Sequence, residues 1–166
     1  MTERERPTST REDGCVLGVP AELVHAIGRV TIAAGELELV LAAVSATQTG
    51  ENAFVILAKP GEPLRAARRS TASLTSPYRE EFLPALERAA ELLAKRHSVV
   101  HAMLINESPA RTTEGWTFLH YWTYKRHPAD PSTLDQLAAE ILEIRTRLIH
   151  ILTALINNRS PSIQAS

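Results

Sequence analysis

The hexapeptide from Arg96 to His101 reads RHSVVH, one arginine and two histidines around a Ser-Val-Val centre. A histidine imidazole can take or give a proton near neutral pH. An arginine guanidinium offers a planar fork of donors that suits a phosphate and the extra charge that gathers on it in a transition state. Together they suit RNA cleavage in which the ribose 2′-hydroxyl attacks the adjacent phosphorus. Histidine would be the acid or base and arginine the phosphate clamp, and neither a metal nor a cofactor is required.

Spacing qualifies this chemistry. Five residues on a helix turn through roughly 500°, so the side chains of Arg96 and His101 leave about 140° apart. His97 and His101, four apart, share a face, and Ser98 and His101, three apart, can also meet. A second copy across a dimer axis could bring an arginine and a histidine together. Arginine and histidine at a helix C-terminus also complement the helix dipole and cap free carbonyls. The His97–His101 pair fits two metal ligands on one face as well, but no Glu accompanies it as in H-E-x-x-H. A third ligand would have to come from His120, His127 or a remote acid.

The elements that must position these residues are mostly helical. Leu23, Ile27, Val30, Ala34, Leu37, Leu41 and Val44 step by fours and threes, which predicts a helix over about 20–48 opened by Pro20 and stopped at Gly50. A short helix is expected at 51–58, and a second arm follows from Leu64 to Leu74. From Pro77 to about Ala102, Phe82, Leu86, Ala89 and Leu93 form a core stripe flanked by Leu83, Ala90 and Val100, and RHSVVH lies in the last turns. The run Trp116 to Tyr124 is rich in aromatic and β-branched residues and reads as a short strand or hairpin arm near 113–126. A last long helix carries Leu134, Leu137, Ile141, Ile144, Leu148, Ile151 and Leu155, with Ser132 or Thr133 as its N-cap and Asp135 in its first turn. The fold class expected is an all-α bundle of four to five helices over 19–157, with 1–18 and 158–166 as disordered tails. The end stripes exceed what a small bundle needs internally, which suggests a helical homodimer.

Bulk properties narrow the function classes. The 166 residues are 44% hydrophobic and 22% charged, enough for one globular core without staples. Cys15 is the single cysteine, so no disulfide framework or cysteine metal site is available within one chain. A formal charge of -1 gives no global footprint for nucleic acid, although a local patch is compatible with it. The N-terminus has no apolar stretch of the signal-peptide kind, and no eighteen apolar residues run together. Neither export nor a membrane association is expected, and the location expected is cytoplasmic.

Arg145 to His150, RTRLIH, repeats the Arg-x4-His spacing inside the last core stripe and reads as coincidence, with His150 facing solvent or an interface. His25, beside the first stripe, reads as packed or surface. Gly35 in mid-helix costs about 1 kcal/mol relative to Ala, which suggests a close helix contact there. Glu36 beside that contact could pair with Arg96 and hold its guanidinium, whereas Glu38 reads as a solvated side chain. Arg65, Arg68 and Arg69, with Arg111, Lys125 and Arg126, are the candidate RNA-facing residues, and Tyr121, Trp122 or Tyr124 could stack a base. Their plainer reading is surface charge, with the aromatics packing the arm onto the bundle.

Arg96, the polar His97, Ser98-Val99-Val100 and then His101 resemble the R-x4-6-H motif of the HEPN superfamily. There the residue after arginine is commonly Asn, Asp or His, and apolar residues often precede the final histidine. The context is similar too, with the motif ending a helix, an irregular or hairpin segment following, and a long amphipathic helix closing the chain. The helical layout covers about residues 20 to 157, while the specific match is the hexapeptide. The resemblance implies a helical bundle that dimerises and brings two motifs into one cleft. Active HEPN proteins are metal-independent endoribonucleases, many of them toxins or antiphage effectors. By that carry-over Arg96 binds the scissile phosphate, His101 is the general acid/base and His97 orients the site, with Ser98 and Glu36 in support. Many relatives are inactive scaffold or regulatory domains, some linked to antitoxins, so an antitoxin or regulatory protein is an expected partner beside RNA.

Overall fold

A computed structural model describes residues 15–16, 18–106, 115–120, 123 and 125–159. The first long stripe forms α1 (Ala21–Thr49), which buries Leu23, Val30, Ala34, Leu37, Leu41 and Val44 and leaves Ile27 half-buried. It ends where expected. Gly50 has φ 73°, a left-handed conformation that glycine adopts without a Cβ penalty, and its N–H donates to the Ala46 carbonyl at 2.8 Å. Asn52 then accepts from the Phe54 N–H and starts α2 (Ala53–Leu57), followed by α3 (Glu62–Ala72) with Pro63 in its first turn.

α4 (Tyr78–Val100) buries Phe82, Ala85, Leu86, Ala89 and Leu92. Its stripe is centred one residue earlier than the expected Leu93, which is half-buried, and the flanking Leu83 is exposed. α5 (Pro131–Arg159) buries all seven residues of its expected stripe. Its cap differs from expectation. Asp130 accepts from the Thr133 N–H at 2.9 Å and from the hydroxyls of Ser132 and Thr133 at 2.5 and 2.7 Å. Pro131 therefore takes the first helical position, where its missing N–H is harmless.

The region between α4 and α5 is more ordered as a sheet than the sequence suggested. β1 (Cys15–Val16) and β2 (Val19–Pro20) pair ahead of α1, so the expected boundary after residue 18 falls inside a small hairpin. β3 (Met103–Asn106), β4 (Trp116–Leu119) and β5 (Arg126–Pro128) form a three-stranded antiparallel sheet with β4 in the centre. Only β4 lies in the expected strand, because β3 follows directly on the helix and offers no turn signal to separate it. α5 runs past the expected boundary at 157 to Arg159.

Among the described residues the bundle is mainly helical, with four substantial helices, one short one and the small three-stranded sheet. α1 and α5 run in the same direction, as shown by Arg29 pairing with Asp135 and Glu36 with Arg145 further along both. α4 runs against them, with Tyr78 near Ala154 and Arg88 bonded to Glu140. Among the described residues, α1 alone is long and apolar enough to cross a membrane by length and composition. In this fold its stripe is the spine of the core, packed on α3, α4 and α5.

Gly35 is exposed, and a Cβ there would meet nothing within 4 Å, so no close helix contact explains it. Gly35→Ala is therefore expected to stabilise the chain by about 0.5–1 kcal/mol in urea unfolding. Leu148 has no exposed surface, and Leu148→Ala is expected to destabilise it by about 2–5 kcal/mol in the same measurement.

Candidate functional site at the end of α4

α4 ends where the candidate motif ends. His101 caps the helix, its N–H donating to the His97 carbonyl at 3.1 Å. The imidazoles of His97 and His101 lie with ring centroids 4.3 Å apart, tilted by 42°, and both residues are exposed. The i, i+4 spacing thus delivers two accessible proton carriers side by side on one helical turn. Ser98 is half-buried, and its hydroxyl donates to the Ala94 carbonyl at 3.2 Å.

Arg96 takes a different direction. Ala85, Ala89 and Leu92 are buried at intervals of four and three, and Arg96 is the next step of that stripe. It is half-buried, and its Nε is shielded from solvent with no hydrogen-bond partner. A buried guanidinium N–H without an acceptor is an unmet demand for an anion or an oxygen. Arg96 leaves the helix about 100° from His97 and 140° from His101, so one chain does not bring arginine and histidine onto one face.

The expected Glu36–Arg96 pair does not form. Glu36 lies 3.1 Å from the Arg145 Nε, which belongs to the second Arg-x4-His spacing. That second spacing is thereby accounted for structurally, and His150 is exposed, as is His25. Among the described residues no carboxylate pairs with Arg96, and no group of three or more His, Cys, Asp or Glu could hold a metal ion. The His97–His101 pair therefore has no third ligand there.

The candidate RNA-facing cations fall on separate elements. On α3, Arg65 and Arg69 both bind the Glu62 carboxylate, which Arg69 and then Arg65 hold below its ordinary range. Arg68 is exposed on the same helix, and Lys125 and Arg126 are exposed at the start of β5. Arg111, Tyr121, Trp122 and Tyr124 lie outside the described residues.

Sequence reasoning missed a groove of about 440 Å³ between the last turns of α4, the sheet and the first turns of α5. Val99, Phe118, Leu134 and Leu137 wall it, and Lys95, Ser98, His120, His127, Asp130 and Gln136 bring polar groups to it. His120, just after β4, and His127, in β5, meet edge to face with centroids 5.7 Å apart. No spacing within the sequence could have joined these histidines to the α4 end, because β4–β5 pairing does so. Ser98 touches both regions: it lines the groove and leaves α4 about 60° from His101.

No protein-family model, no curated protein and no solved structure matches the chain.

Asp130 anchors the groove to α5. Hydrogen bonds from the Ser132 hydroxyl, and then from the Thr133 hydroxyl and backbone, lower its carboxyl to about 2. A depressed carboxyl stabilises the fold above its unfolded range near 4, and that contribution is lost as pH falls towards about 2. Asp130→Ala is expected to lower the melting temperature by a few degrees at neutral pH. The gap from wild type should close between about pH 4 and 2 in acid-dependent thermal melts.

Proposed function

We propose that the chain is a HEPN-like, metal-independent endoribonuclease that works as a homodimer. The observation that carries this reading is the exposed His97–His101 imidazole pair, 4.3 Å apart at the terminus of α4, one residue after the buried, unpartnered Arg96 Nε. The resemblance to the R-x4-6-H pattern supports it, as does the order of elements, in which the motif ends a helix, a small sheet follows and a long helix closes the chain.

In this reading His101 accepts the proton of the ribose 2′-hydroxyl as its oxygen bonds to phosphorus. The bond from phosphorus to the 5′-oxygen breaks, and a protonated imidazole supplies the proton that this oxygen takes up. The products are a 2′,3′-cyclic phosphate and a 5′-hydroxyl. Arg96 neutralises the charge on the phosphate oxygens, and His97 orients or shares the proton. Because Arg96 and His101 diverge on one helix, the phosphate clamp of one protomer serves the histidines of the other. RNA is the substrate class, and an antitoxin or regulatory protein in a bacterial defence or toxin system is a partner consistent with that activity.

A second reading, a catalytically inactive HEPN-like scaffold or partner-binding module, is favoured by one observation. Arg96 continues the core stripe of α4 and is half-buried there, away from the histidine face.

Incubation of end-labelled RNA with the full chain in chelator separates the two. Wild type is expected to leave cyclic phosphate ends, with the rate lowered about 10²-fold or more in Arg96→Ala and in His101→Ala. Equal cleavage by all three would mark contamination and overturn the enzyme reading. No cleavage of several RNAs would leave the scaffold.

A further inference from the structure

The groove beside the motif has the chemistry of a site for a flat, uncharged ring. Phe118 and Leu137 line it with apolar surface, and the edge-to-face imidazoles of His120 and His127 add aromatic surface. Gln136 donates one amide N–H to Glu140 at 3.2 Å, which leaves its second N–H and its carbonyl oxygen for the in-plane edge of a heteroaromatic ring. The charged groups argue against an anion as the principal ligand. Lys95 shares the lining with the carboxylates of Asp130 and Glu140, and Glu140 already accepts from Arg88 at 2.8 Å. An exclusively apolar ligand is no better, since it would leave the remaining Gln136 amide positions and the His120 and His127 ring nitrogens unused along the groove.

A nucleobase satisfies both halves of this lining, with π-faces for the walls and donors and acceptors along its edge. We propose that the groove between α4, β4–β5 and α5 binds a nucleobase of the RNA strand. The inference rests on the ribonuclease reading for its source of bases. Ser98, shared by the groove and the neighbourhood of His101, sets the base next to the phosphate being cleaved. The groove thereby supplies base preference to a motif that reads only phosphate and ribose.

The test is titration of the full chain with adenosine, guanosine, cytidine and uridine, followed by amide and histidine NMR shifts. At least one nucleoside is expected to bind saturably, shifting His120 and His127. His127→Ala and Gln136→Ala should each weaken that binding about tenfold, whereas Arg96→Ala should leave it unchanged while abolishing cleavage. If His127→Ala does not fold, Gln136→Trp, which fills the groove from an exposed helix position, must remove binding instead. A trinucleotide containing the preferred base should bind about tenfold tighter than the nucleoside. Failure of all four nucleosides to bind, or undiminished binding in folded groove variants, overturns the site. Equal affinity for nucleoside and trinucleotide overturns its assignment to RNA in favour of a free nucleoside. Nucleoside binding by a chain that cleaves no RNA keeps the groove and removes the ribonuclease reading, and cleavage without nucleoside binding does the reverse.

Discussion

The whole arrangement depends on the apolar seam between α1 and α5. Both helices present stripes of fours and threes about six turns long, and these stripes meet in the main core cluster. The two helices run in the same direction, with ion pairs Arg29–Asp135 and Glu36–Arg145 along the outside of the contact. These ion pairs are solvent-exposed enough that they fix register more than they stabilise. A parallel pair cannot be joined by a short loop. The chain must travel back the full length of α1 before α5 can begin, and α4 makes that return.

This return decides where chemistry can be. α4 comes down against α5, so its C-terminus arrives at the end of the bundle where α5 starts. The three-stranded sheet fills the gap between them, and Ala129 closes it by donating its N–H to the Trp116 carbonyl at 2.9 Å. His97, His101, the His120–His127 pair and the Asp130 cap are all consequences of that one turn of the chain. The opposite ends of α1 and α5 carry no comparable gathering of histidines among the described residues.

How much of this was legible in the sequence follows from the range of each interaction. Helix stripes depend on residues three and four apart, so α1 and α5 could be read nearly residue for residue, as could the Gly50 stop. The α5 cap was misplaced because Ser132, Thr133 and Asp130 are all good capping residues, and Pro131 decides among them only once it is given the first helical position. β3 was hidden because Met103–Asn106 begins two residues after the helix with neither Gly nor Pro between them to mark a turn. The Glu36–Arg96 pair failed for a geometric reason: Glu36 faces α5, and α5 offers Arg145 at the matching level. The groove was beyond reach, since strand pairing between residues distant in sequence creates it.

The same distinction clarifies the hexapeptide. RHSVVH looks like one cluster when written on a line, but the helix distributes it over three directions. The two histidines face solvent together, Ser98 turns to the groove, and Arg96 follows Ala85, Ala89 and Leu92 towards the core. An arginine is costly in that position unless its guanidinium finds an acceptor, and among the described residues the Nε has none. Because the Nε is shielded from solvent, an anion from outside the chain could meet only the outer end of the guanidinium. A lysine would satisfy itself by swinging into water. The spacing that sets Arg96 on the buried stripe is therefore also what separates it from the histidine face, so any joint chemistry of the two would require a second copy of the chain.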